Sequence, residues 1–226
     1  MENIILRFEN VSYSYEQNKK IIDDINIDFK KGKFYTIVGE SGSGKTTFIS
    51  LAAGLDSQTE GVILYKGKST KEIGLEKFRN KDMSIVFQGY NLLNYMSALE
   101  NITSAMSIKG IKTENNKETA IKMLYRVGLK KEQIYQKVLT LSGGQQQRVA
   151  IARALCCESD LIIADEPTGN LDEETSKEII NIFKEIVKED KKTIIMVTHN
   201  KNIAIVSDEI YLMKDKNLTE LDRNLI

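Results

Sequence analysis

Four short apolar runs recur along the chain, and each stops at a residue with chemistry to offer. Phe34–Val38 (FYTIV) runs into Gly39, and Met83–Phe87 (MSIVF) into Gln88. Leu161–Ala164 (LIIA) runs into Asp165 and Glu166, and Thr193–Thr198 (TIIMVT) into His199. Unbroken apolar runs of this length suit strands buried on both faces of a parallel sheet. Ligands of open α/β sheets bind at the carboxyl ends of the strands. Four such endings therefore predict one site fed by four strands.

Helical periodicity fills the intervals. The segment after Gly44 places Phe48, Leu51 and Ala52 on one face and stops at Gly54, a glycine suited to a helix end. ETAIKMLYRVG puts Ala120, Ile121, Leu124, Tyr125 and Val127 on a stripe ending at Gly128. DEETSKEIINIFKEIVKED repeats Ile179, Ile182, Phe183 and Ile186 at the spacing of a one-sided helix, with acidic residues crowding its first turn. The first 30 residues differ. IILRFENVSYSY and KIIDDINIDF partly alternate and predict antiparallel strands, and EIYLMKDKNLTEL near the end predicts a closing hairpin. There is no internal repeat, and one proline in 226 residues leaves little sign of an interdomain hinge.

Composition narrows the classes. Thirty-two basic residues balance 32 acidic ones, so the bulk positive field of a nucleic-acid binder is missing, and no nucleic-acid partner is expected. No apolar run has the length of a membrane span, and the N-terminus does not read as a signal peptide. The two cysteines, Cys156 and Cys157, are adjacent and poorly placed to pair; they read as buried helical thiols in a reducing compartment.

GESGSGKT, Gly39 to Thr46, fits the phosphate-cradle pattern G-x-x-x-x-G-K-[ST] between a strand and a helix. Gly39, Glu40, Ser41, Gly42, Ser43 and Gly44 let successive N–H groups turn inward on an anion. Lys45 sets a charge on the β- and γ-phosphates, the Thr46 hydroxyl can hold Mg²⁺, and Thr46 and Thr47 open a helix whose dipole adds to the attraction. Asp165, at the end of an apolar strand, can orient the Mg²⁺ shell, and Glu166 beside it can act as general base toward a water. A second glycine corner, LSGGQQQR, has no lysine. Ser142 and Gln145 form a capping-box pattern, so a helix should start there, with Val149, Ala152 and Leu155 buried and the N–H groups of Gly143 and Gly144 free for an anion.

In order and spacing, GESGSGKT, Gln88, LSGGQ, LIIADE, NLD and the Thr198–His199 pair resemble the ATP-binding cassette (ABC) ATPases, and the resemblance covers essentially the whole chain. ADEPTGNLD and FQGYNLLNYMSALENI are similar to the subgroup serving lipoprotein-releasing, macrolide and antimicrobial-peptide transporters. The resemblance implies an α/β P-loop NTPase fold over residues 1–226. It consists of a RecA-like, mainly parallel sheet core, an N-terminal antiparallel β-subdomain and an α-helical subdomain inserted at about 89–155. It also implies a head-to-tail homodimer that sandwiches two Mg-ATP. Ser142, Gly143, Gly144 and Gln145 of one copy would then meet the γ-phosphate held by Lys45 of the other. Carried over by position, Tyr15 stacks on adenine, with Tyr13 a neighbouring competitor. Gln88 reaches Mg²⁺ and the attacking water, Asp172 communicates across the dimer, and His199 is the switch histidine.

The implied activity is ATP hydrolysis coupled to a separate transmembrane permease, by a cytoplasmic protein peripheral on the inner face of the membrane. The alternative is a regulatory ABC ATPase signalling through a membrane partner, as in cell division. Asn94, where many relatives have proline, and Asn200, where many have aspartate, depart from the pattern without touching the expected chemistry.

Overall fold

The computed structural model describes residues 3–15 and 19–223. Its strands in chain order are β1 (Ile4–Ser14), β2 (Lys20–Lys30), β3 (Phe34–Val38), β4 (Glu60–Tyr65) and β5 (Lys68–Ser69), then β6 (Met83–Phe87), β7 (Leu161–Asp165), β8 (Thr193–Val197), β9 (Glu209–Lys214) and β10 (Asn217–Glu220). They form two sheets. One is antiparallel, in the order β2-β1-β4-β5; the other runs β10-β9-β3-β8-β7-β6. In the second sheet β9, β3, β8, β7 and β6 are mutually parallel, and β10 closes the edge as the antiparallel arm of the expected hairpin.

The central strands are apolar on both faces because both faces are covered. Ile37, Ile163, Ile195 and Val197 pack with the antiparallel sheet and with Phe48. Their alternate neighbours, Ile162, Ala164, Ile194 and Met196, pack with helical residues such as Val149, Ile179 and Phe183. Period-two alternation of side chains assigns each set to its layer. On the first side Phe8 stacks on Phe48 at 4.8 Å between ring centroids, and Phe29 meets Tyr35 edge-on at 4.9 Å. Each such ring taken out of water stabilises the fold by about 1.5–3 kcal/mol.

On the other side, helices Ala98–Ile108, Asn116–Arg126 and Gly143–Cys156 pack on one another, and Glu173–Asp190 packs on the last of them. Ala120, Leu124 and Val127 are buried as the stripe predicts, but Tyr125 is exposed. It stands one position past the buried Leu124, a rotation of about 100° around the helix, toward solvent. Gly54 ends helix Lys45–Ala52 at φ 61°, its N–H bonded to the Leu51 carbonyl and that of Leu55 to Ser50, a left-handed helix stop. Cys156 and Cys157 are buried, and burial pushes the Cys156 thiol up to about 12.

Register positions the site. Phe87 pairs with Asp165, Asp165 with Val197, and Val197 with Ile37. The next residues, Gln88, Glu166, Thr198 and then His199, and, past Val38, Gly39, leave the sheet along one edge. The four polar endings read from the sequence are thus neighbours in space.

Candidate functional site

Gly42 and Gly44 hold φ of 79° and 105° in the glycine loop, values that favour residues without a Cβ. The helix that follows starts at Lys45 with no side chain capping its N–H groups. Lys45 is buried, and its Nζ donates to the carbonyls of Gly39 (2.8 Å) and Glu40 (2.7 Å). The Ser43 hydroxyl is buried with no hydrogen-bond partner. Such a group is costly to leave unpaired. An orphaned hydroxyl, a buried ammonium and uncapped helix N–H groups together suit a polyphosphate, which would take up all three. Thr46 is exposed beside them.

Asp165 ends β7 half-buried. Burial raises its pKa, the charge of Glu166 adds to the rise, and Lys45 opposes it. A carboxylate held in this way gains from a bound cation. Among the described residues, no group of three or more His, Cys, Asp or Glu could hold a metal ion by itself. Thr46, Asp165 and phosphate oxygens would make the hard-oxygen shell that Mg²⁺ takes, with one carboxylate and the substrate.

Glu166 follows in the left-handed region, at φ 46°, unusual for a residue with a long side chain. Its N–H donates to the Val197 carbonyl at 3.0 Å, which ties it to the end of β8. The turn aims the carboxylate at His199: Oε2 lies 2.8 Å from Nδ1 and accepts the His199 backbone N–H at 3.4 Å. Glu166 is mostly shielded while the imidazole is exposed, so the pair sits at the lip of the site. A cavity of about 360 Å³ opens beside it, lined in part by Thr168, Gly169, Leu171, Thr198 and His199.

The tyrosines separate cleanly. Tyr13 is buried, its hydroxyl committed to Asp56, and that bond pushes its pKa up to about 12. Tyr15 is 67% exposed, meets Tyr13 edge-on at 5.0 Å, and has its hydroxyl 3.3 Å from Thr47 Oγ1 on the loop helix. Of the two rings, only Tyr15 is free to take a flat ligand beside the phosphate cradle.

The capping box predicted at Ser142 is present. Gln145 N–H donates to Ser142 Oγ (3.4 Å), and Ser142 N–H donates to Gln145 Oε1 (2.9 Å). Val149, Ala152 and Leu155 are buried on the helix it starts. The atoms nearest to a side chain built on Gly143 or Gly144 belong to Tyr90, Leu171 and Thr175, and none belongs to the loop at 39–46. The nearest neighbours of the second glycine corner thus come from the segments at Tyr90 and at residues 171–175. Asp172 caps helix Glu173–Asp190 by accepting the Thr175 N–H at 2.9 Å, and its pKa is lowered by that bond.

Gln88 follows the end of β6, and its side chain is engaged by Asn170. Its Nε2 donates to Asn170 Oδ1 at 3.2 Å. Asn170, Gly169, Tyr90 and Arg153 are the residues sequence reasoning missed. Arg153 donates to the carbonyls of Asn91 (2.5 Å) and Tyr90 (3.0 Å), clamping two consecutive residues at positive φ. For Gly169, Asn170 and Tyr90 the FQGYN and TGNLD stretches carried a local signal, small and amide residues beside a strand end; Arg153 had none.

Known proteins agree with this reading. The family model described as ABC transporter matches residues 22–169. An uncharacterized ABC transporter ATP-binding protein of Bacillus subtilis, YclH, is 59% identical over 205 residues, 90% of this chain and 91% of that protein. The lipoprotein-releasing system ATP-binding protein LolD of Rickettsia felis is 38% identical over 217 residues, 95% of this chain and 97% of that one. Among solved structures, a dimeric ATP-binding cassette in a post-hydrolysis state, bound to ADP and Pi, superposes with a TM-score of 0.87 at 33% identity. That match covers 97% of this chain and 99% of the other. Motif order, strand register and these likenesses converge, and the chain belongs to the ABC transporter family as one of its ATP-binding cassettes.

Proposed function

We propose that two copies of the chain close head to tail on two Mg-ATP, hydrolyse them, and so drive a separate membrane permease. Lys45 leaves the carbonyls of Gly39 and Glu40 for the β- and γ-phosphates, and Ser43 gains the partner it lacks. Thr46, Asp165 and Gln88 would hold Mg²⁺, which would offset phosphate charge. Tyr15 stacks on adenine. Glu166 accepts a proton from a water as that water's oxygen attacks the γ-phosphorus and ADP leaves. His199, 2.8 Å from the carboxylate, fixes the direction of Glu166 and faces the γ-phosphate. Ser142, Gly143, Gly144 and Gln145 of the other copy complete the cage with helix N–H groups, and Asp172 lies beside them. Residues 89–155 act as the helical subdomain that receives the permease.

The observation that carries this reading is the Glu166–His199 pair standing on the strand edge where the glycine loop begins. None of the described helices is long and apolar enough to cross a membrane, which supports a peripheral place on a membrane partner. The likeness to LolD supports a permease of the lipoprotein-handling or exporter type.

Glu166→Gln tests it. The variant is expected to bind Mg-ATP, to lose turnover, and to accumulate as a dimer by light scattering. A protein that stays monomeric at saturating Mg-ATP refutes the composite site.

A further inference from the structure

Helix Gly143–Cys156 carries the second glycine corner at one end and Arg153 near the other. From Gly143 to Arg153 is about 15 Å along the axis. Arg153 reaches out of the helix with a forked pair of donors: Nη1 bonds the Asn91 carbonyl at 2.5 Å and Nη2 the Tyr90 carbonyl at 3.0 Å. Neither carbonyl accepts a backbone N–H among the described residues. Tyr90 and Asn91 hold φ of 58° and 49°, a left-handed turn that an aromatic residue rarely adopts unless it is held there. A planar guanidinium can span two neighbouring carbonyls, whereas a lysine ammonium is a point donor. The Tyr90 ring then returns to the start of the same helix. Gly143 has no positive φ, yet a Cβ there would lie 2.8 Å from the Tyr90 hydroxyl and 3.4 Å from Leu171 Cδ2. The glycine is therefore explained by the ring lodged against it. Tyr90 packs on the helical core, and burial raises the pKa of its phenol.

We propose that Arg153 and Tyr90 are positioning residues for the glycine corner: the arginine fixes the turn, and the tyrosine braces Gly143 against it. This rests on the reading that the corner meets the γ-phosphate held by the other copy. The brace starts from the sheet, since the Tyr90 N–H donates to the carbonyl of Phe87, the last residue of β6, at 3.2 Å. Phe87 in turn pairs with Asp165. The corner is thus tied to the strand edge that carries Asp165 and Glu166, through two side chains outside the phosphate cradle. A cage shared head to tail uses the loop and the corner of each chain at once, so each corner must stand at a set distance from its own glycine loop. Loosening the brace leaves the glycine loop intact and misplaces what the chain offers to its partner.

The test uses the full chain. Arg153→Lys keeps the charge and loses the fork, Arg153→Gln loses both, and Tyr90→Ala removes the brace. The first readout is the pair of Gly143 and Gly144 amide resonances in nucleotide-free protein, identified by their loss in Gly143→Ala and Gly144→Ala. Both are expected to move in the two arginine variants, although that side chain leaves the helix from its far turns. The second readout, in a Glu166→Gln background, compares dimerisation by Mg-ATP with affinity for Mg-ADP, which lacks the γ-phosphate and reports the glycine loop alone. Each displaced corner is expected to lose about two- to tenfold, the scale of one hydrogen bond, and a dimer has two, so its dissociation constant should rise about four- to hundredfold in the arginine variants and in Tyr90→Ala. Mg-ADP affinity should stay within about twofold, as for a site with no shared partners. Glycine resonances unmoved by the arginine variants overturn the proposal. So does an unchanged dimer constant in Tyr90→Ala, which decides the matter by itself if neither arginine variant folds. An equal loss of Mg-ADP affinity also overturns it, since that marks a disturbed fold. A Glu166→Gln parent that stays monomeric with Mg-ATP refutes the composite site instead, and the resonances still decide the brace.

Discussion

Gly144→Ala separates two explanations for the glycine corner at 142–144: packing within the chain and contact with a phosphate across the dimer. Gly144 is the second residue of helix Gly143–Cys156 and has no positive φ, so alanine suits the backbone and adds up to ~1 kcal/mol of helix propensity. Against this, its Cβ would stand 2.5 Å from Thr175 Cγ2. Relieving such a clash costs about 1–3 kcal/mol. The balance is a loss of roughly 0–2 kcal/mol, and for a chain of this size each kcal/mol lowers Tm by about 2–4 °C. Thr175→Ser removes the offending methyl and keeps the hydroxyl that bonds Asp172 at 2.7 Å. The double variant should therefore return to within ~1 kcal/mol of the parent stability. Its ATPase should stay down at least about tenfold, or ~1.4 kcal/mol of transition-state stabilisation, because the added methyl still crowds the N–H groups offered to the other copy's phosphate. Thermal melts and steady-state ATPase on the single and double variants decide it. A double variant as active as the parent would refute the phosphate role and leave Gly144 as a packing residue alone.

Further substitutions at Lys45, Asp165 and Tyr15 probe the same site, with Tyr13 as a packing control. Lys45→Ala removes the ammonium held at the loop carbonyls and should weaken ATP binding at least about tenfold by titration calorimetry, the scale of one charge-assisted hydrogen bond to phosphate; unchanged affinity contradicts the cradle. Asp165 has a raised pKa in the fold, so it binds protons more readily folded than unfolded, and its contribution to stability falls as pH rises from the unfolded pKa through the folded one. Asp165→Asn should accordingly raise the melting temperature of the nucleotide-free protein at neutral pH while abolishing the extra stabilisation that Mg²⁺ adds to ATP; a lower melting temperature refutes the burial argument. Tyr15→Ala should weaken ATP binding with little change in stability, and Tyr15→Phe should retain it. Tyr13→Ala, by contrast, empties a buried aromatic site and should cost about 3–5 kcal/mol in denaturant unfolding.

The parallel strands, their polar endings, the glycine loop before helix Lys45–Ala52 and the capping box at Ser142 were legible in the residues alone. Each depends on neighbours a few positions away, through side-chain alternation, left-handed glycines or a bond from residue three to the cap. The closing hairpin and the antiparallel start were equally local. What the residues could not reveal needs partners from distant parts of the chain. Tyr13 stands near the end of β1 and Tyr15 one residue past it, and only the packing of the sheet buries the first on Asp56 and leaves the second beside Thr47. Tyr125 fits a helical stripe by count, but the width of the facing surface leaves it outside. The left-handed turn at Glu166 has no glycine to announce it and is held by a bond to β8. Gly143, Gly144 and Gly169 look alike in the chain, yet Tyr90, Thr175 and Gln88 respectively fill the space where their side chains would stand. Periodicity and caps are short-range and are written in the chain; which loops share a space is set by sheet order and register, which only the folded molecule decides.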